Sequence, residues 1–93
     1  MIEILEIRLA GNLNELLEKK IEQIMLDVKM ESAGITINLY QKSNLNSDYL
    51  IIIMNSSGII EKQSTELGQR IKAALSEYGL INYSKWNEVN PIK

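Results

Sequence analysis

The segment DYLIIIMNSSG, Asp48 to Gly58, holds five consecutive large apolar residues, Leu50 to Met54, and turns polar immediately afterwards. Successive side chains of a strand point to opposite faces, so a strand covered on one side needs an apolar residue only at every second position. This run has one at every position, and both of its faces demand cover. A chain of 93 residues has room for one core. The run is therefore expected to be a central strand, with one face on that core and the other against something outside it.

The flanking periodicities supply the other elements. IEILEIRL, Ile2 to Leu9, alternates: Leu5, Ile7 and Leu9 lie on one side. Ile2 and Ile4 share the other side with Glu6 and Arg8, so that side is apolar at one end and charged at the other. The next segment has a helical period, with Leu13, Leu17, Ile21, Ile24 and Val28 on one stripe that Leu16 and Met25 widen. Asn12 and Glu15 have the spacing of a capping box, Glu15 and Lys19 that of an i,i+4 pair, and Gly34 is a natural stop. Alternation returns in GITINLYQK, where Ile35, Ile37 and Leu39 oppose Thr36, Asn38 and Tyr40, and SNLNSD, Ser43 to Asp48, has turn composition. The apolar run then pairs back on this strand as a hairpin.

A second helix, starting between Gly58 and Ser64, carries Leu67, Ile71, Ala74, Leu75 and Tyr78 on its buried stripe. Gly68 on that stripe would let it approach a sheet closely. Gly79 is expected as a left-handed C′ residue, with Leu80 folding back on Leu75. Ile81 to Val89 reads as a last strand, ended by Pro91. The order β-α-β-β-α-β, with two right-handed crossovers and a hairpin, predicts a single-domain α+β ferredoxin-like plait over residues 1–93. Its four-stranded antiparallel sheet carries two helices on one face, with the first and third strands central.

In such a plait the helix-free face meets water. Whichever parity of the apolar run points outward, Tyr49, Ile51 and Ile53 or Leu50, Ile52 and Met54, that face is apolar. Leaving it bare forgoes roughly 1.5–3 kcal/mol for each large side chain. A homodimer joined through the open sheet faces is expected, with Ile2, Ile4, Leu50, Ile52 and Met54 as candidate interface residues.

Composition removes several chemistries. The chain has no Cys and no His, hence no thiolate nucleophile, no zinc–thiolate site and no imidazole acid–base group. Neither a metal nor another cofactor is expected. Ten Lys and Arg are scattered among twelve Asp and Glu, for a net charge of −2, which argues against nucleic acid as a partner. No apolar run approaches the roughly eighteen residues that span a bilayer, and the N-terminus is acidic where a signal peptide is basic, so a cytoplasmic protein without a membrane partner is expected. In NSSG, at a strand-to-helix handover, Ser56 or Ser57 reads as a helix N-cap, since a phosphate loop carries more glycines and a nearby Lys.

The candidate ligand-binding residues are Glu6, Arg8, Asn38 and Tyr40, which share one parity, with Trp86 on the last strand. Between facing sheets they would line a space apolar at one end and polar at the other. A cross-subunit ion pair or a wet edge is the simpler account of Glu6 and Arg8. No catalytic residue stands out.

The element order, with GITINLYQ, the hairpin and DYLIIIMN, resembles the dimeric α/β-barrel group that includes the antibiotic-biosynthesis monooxygenases. The resemblance implies plaits paired face to face, some of which oxidise aromatic substrates without metal or flavin, while related members bind or degrade haem. The His common at such sites is missing here. GNLNELL, Gly11 to Leu17, is also similar to the opening of an amino-acid-binding ACT domain, though Leu9 and Ala10 stand where that family has Asp and Pro. With no catalytic constellation in view, the expected function is a non-enzymatic binding or protein-interaction module. The alternatives are a cofactor-independent monooxygenase-like enzyme acting on a small aromatic substrate, with its pocket between sheet and helices or between sheets, and an ACT-like regulatory domain.

Overall fold

The computed structural model describes residues 2–31, 34–55, 61–87 and 89. Its elements are β1 (Ile2–Leu9), α1 (Asn14–Glu31), β2 (Ile35–Gln41), β3 (Asp48–Asn55), α2 (Glu61–Leu75) and β4 (Gly79–Trp86), with a 3-10 turn at Ser76–Tyr78 before β4. The sheet order is β2-β3-β1-β4, with every pairing antiparallel. This is the expected plait.

The parity left open by the sequence is fixed by register and burial. Tyr49, Ile51 and Ile53 of β3 lie with Leu5, Ile7 and Leu9 of β1 under the helices, packed against Leu17, Ile21 and Val28 of α1 and Leu67, Ile71 and Leu75 of α2. Leu50, Ile52 and Met54 face the other way. Leu16 leaves the helical stripe: it is 56% exposed.

Three local expectations are corrected. α1 begins at Asn14, two residues beyond the proposed cap Asn12: the Leu13 carbonyl accepts the first helical hydrogen bond, from Leu17 (2.9 Å), and the Asn14 side chain donates to the Asn46 carbonyl (2.8 Å) and the Tyr49 hydroxyl (3.0 Å). Gly79 is extended rather than left-handed (φ 164°), and Leu80 is exposed rather than folded back on Leu75. Gly79 is needed for closeness: a Cβ there would strike the backbone carbonyl of Arg8. β4 consequently starts two residues earlier than expected and ends at Trp86, not Val89. Residues 56–58 of the NSSG segment lie outside the described residues.

Gly68 does what its place on the stripe suggested. A Cβ there would stand 2.5 Å from Tyr83 Cε1 and 2.6 Å from Glu3 Oε1, so its absence lets α2 close over these two groups. Glu3 is fully buried, and the Tyr83 hydroxyl donates to its Oε1. A buried carboxylate needs such partners, since desolvating it unpaired is costly.

Candidate functional site

The helix-free face is a grid whose rows follow from the register. One row across β2, β3, β1 and β4 reads Tyr40, Leu50, Glu6, Asn82, and the next reads Asn38, Ile52, Ile4, Ser84. The row after that reads Thr36, Met54, Ile2, Trp86, while beyond Glu6 at the other end Asp48, Arg8 and Leu80 stand side by side. All five expected interface residues and all five expected ligand residues therefore share this face. The ligand residues do not form one cluster. Glu6, Arg8 and Tyr40 line a cleft of about 480 Å³ with Leu50, Leu80 and Asn82, flanked by Lys42 and Asp48. Asn38 is one row away and outside the lining. Trp86 sits at the far end, four residues along β1 from Glu6 in register, about 13 Å.

Arg8 meets Asp48 through Nε at 3.5 Å, so its ion pair lies within the sheet. The apolar part of the face is the block of Ile2, Ile4, Ile52 and Met54, and Met54 is 45% exposed.

A second site lies on the helix side. Tyr49, on the core face of β3, is 4% exposed, yet its hydroxyl is the hub of a polar cluster. It donates to Glu18 Oε2 at 2.6 Å and accepts from Asn14 Nδ2 at 3.0 Å and Gln41 Nε2 at 3.2 Å. Asn14 and Gln41 also donate to the carbonyl of Asn46, which ties α1 to the β2–β3 turn. Burial foremost, then the Glu18 carboxylate that takes its hydrogen bond, pushes the Tyr49 phenol above its ordinary value of 10.0. It stays a neutral donor throughout the neutral range.

Glu18 also lines a groove of about 670 Å³ between α1 and edge strand β2, whose apolar walls are Ile21, Met25, Ile35, Ile37 and Leu39, with Glu22 and Lys29 further along α1. An apolar slot with two carboxylates on its helix wall, Glu18 anchored by Tyr49 and Glu22 one turn on, has the makeup of a small-molecule site. Among the described residues, the hydrogen bond from Tyr49 is the one the Glu18 carboxylate makes, which leaves Oε1 available.

Sequence reasoning does not find this site. Glu18 sits in a run of charged helix residues, and Tyr49 reads there only as one parity of an apolar strand. The available signal is an alternating strand whose core-side parity opens on a tyrosine, since a buried hydroxyl requires partners.

No protein-family model matches the sequence, and no curated protein matches it. Solved structures do. SnoaB, a cofactor-independent oxygenase from Streptomyces nogalater solved as a mutant, superposes with a TM-score of 0.76 at 7% identity, over 98% of this chain and 94% of that one. A protein provisionally assigned as an antibiotic biosynthesis monooxygenase, from Nitrosomonas europaea, gives 0.74 at 6% identity over 96% and 98%. A further antibiotic biosynthesis monooxygenase gives 0.72 at 6% identity over 97% and 100%. These names overturn the expectation of a non-enzymatic binding or interaction module and favour the enzymatic alternative. At such identities the likeness carries the fold alone. The chain has the ferredoxin-like plait of the antibiotic-biosynthesis-monooxygenase group, which its strand and helix pattern resembled from the outset.

Proposed function

We propose that the protein is a cofactor-independent, monooxygenase-like enzyme that acts on a small aromatic substrate in the α1–β2 groove, with Glu18 as its base. The observation that carries this reading is the Glu18 carboxylate at an apolar slot, anchored by the buried Tyr49 hydroxyl at 2.6 Å. The apolar walls strip water from an aromatic ring and favour its binding. Glu18 Oε1 takes a proton from an activated C–H of the ring system, while Tyr49 holds the carboxylate in place as a positioning residue. The resulting carbanion gives its electron pair to dioxygen, forming a C–O bond and a peroxide that Glu18 protonates. Loss of water, which removes the second hydrogen from the same carbon and breaks the O–O bond, leaves a carbonyl. In balance, one ring methylene and one dioxygen become one carbonyl and one water, with the substrate as the electron donor.

The enzyme is proposed to work as a homodimer, two copies meeting through the block of Ile2, Ile4, Ile52 and Met54, with Leu50 at its margin. Four adjacent apolar side chains on the two central strands suit a self-complementary contact.

The test is oxygen uptake with a hydroxylated anthrone, measured above the spontaneous rate. The expected result is one dioxygen consumed per substrate, at least about a hundredfold slower in Glu18→Gln, and hindered by Met25→Trp, which fills the groove. An undiminished rate in Glu18→Gln overturns the assignment.

A further inference from the structure

We propose that the open-face cleft, which borders the helix-side cluster at Tyr49 and Gln41, is a second binding site distinct from the groove and not resting on the enzymatic reading, and that it takes a small zwitterion with an apolar tail: an α-amino acid with a large apolar side chain. The charges at the cleft cancel, two acidic (Glu6, Asp48) against two basic (Arg8, Lys42). A ligand bearing net charge of either sign would meet repulsion from half of them, whereas a molecule carrying both signs meets attraction at each end.

The layout places those ends. Glu6 and Arg8 are two residues apart on β1 and point to the same face, so their Cα atoms lie about 6.6 Å apart. The α-ammonium and α-carboxylate of one molecule bridge two such side chains. Among the described residues Glu6 forms neither an ion pair nor a side-chain hydrogen bond, and Arg8 meets Asp48 through Nε. Register puts Leu50 and then Tyr40 beside Glu6, and Leu80 beside Arg8. Tyr40 is 51% exposed and Leu80 75%, a flanking surface on which an apolar or aromatic side chain would lie. Asn82 adds an amide across from Glu6. The volume of about 480 Å³ suits one such molecule. The apolar block of Ile2, Ile4, Ile52 and Met54 lies toward the opposite end of the face, and Leu50 is the residue that the cleft shares with the margin of a second copy seated there.

The experiment is calorimetric titration of the full chain at low ionic strength with three probes: L-phenylalanine, phenethylamine, which lacks the carboxylate, and 3-phenylpropanoate, which lacks the ammonium. Saturable binding of phenylalanine is expected, at least tenfold weaker for each truncated probe. Glu6→Gln and Arg8→Gln should each weaken phenylalanine at least tenfold, while Glu18→Gln leaves it unchanged. Equal binding of 3-phenylpropanoate would reduce the cleft to an anion site and overturn the proposal. Absence of binding, or its loss in Glu18→Gln, would overturn it too. Because Glu18→Gln is the variant that disables the proposed enzyme, the two readings fail separately.

Discussion

Replacing Gly68 by Ala tests how α2 is seated on the sheet. In an exposed helix interior that change is stabilising by about 1 kcal/mol, because alanine has the better helix propensity. Here the added Cβ would lie 2.5 Å from the Tyr83 ring and 2.6 Å from Glu3 Oε1, well inside van der Waals contact. Neither neighbour yields easily: Glu3 is fully buried, and the Tyr83 hydroxyl is bonded to it. Overpacking of this kind costs roughly 1–3 kcal/mol, and breaking the carboxylate's hydrogen bond would add to it. The propensity gain is outweighed, and a net loss of about 1–2 kcal/mol is expected. For a domain of this size that is a fall in Tm on the order of 5–15 °C, read by circular dichroism or calorimetry. Tyr83→Val in the Gly68→Ala background removes the ring and should recover part of the loss, a coupling a double-mutant cycle would measure. A Gly68→Ala variant that melts at or above the parent temperature would refute the close approach of α2 to Glu3 and Tyr83.

Tyr49→Phe removes a hydroxyl with three side-chain partners and should cost about 1–2 kcal/mol by chemical denaturation. The phenol is raised in the folded state, so its stabilising effect is complete below the unfolded value of 10.0 and is lost as pH climbs through the folded value. The parent should therefore lose stability above about pH 10 more steeply than Tyr49→Phe; parallel pH–stability curves would count against the buried hydrogen-bond hub. Ile51→Lys places a charge at a core position that is 1% exposed and should abolish cooperative unfolding. Ile52→Lys, on the open face, should leave a folded chain with the mass of a monomer, against twice 10.6 kDa for the parent by light scattering. A dimeric Ile52→Lys would remove the proposed interface.

The backbone plan was legible because each element announced its own period. Five consecutive apolar residues marked β3 as central, and the switch from a period of two to one near 3.6 marked both helices. Chain ends of elements were less legible. Asn12 had the right chemistry for a cap, but the helix opens on the Leu13 carbonyl, and its first residue, Asn14, bonds to Asn46 and Tyr49, more than thirty residues away. Gly79 looked like a left-handed terminator; only the neighbouring strand β1 explains why a side chain is forbidden there. The same limit applies to function. The side chains of the open face were identified by parity, whereas the groove depends on the packing of α1 against β2, and its anchored carboxylate on a contact from β3, which no periodicity encodes.

The central claim is that Glu18 serves oxygen chemistry in the α1–β2 groove. Its most direct test is turnover of a hydroxylated anthrone by metal-free protein under oxygen-18 gas, with the product analysed by mass spectrometry alongside Glu18→Gln. One labelled oxygen atom in the new carbonyl, formed rapidly by the parent and at close to the spontaneous rate by the folded variant, is the expected result. Label entering from water instead, or equal rates for the two proteins, would contradict it.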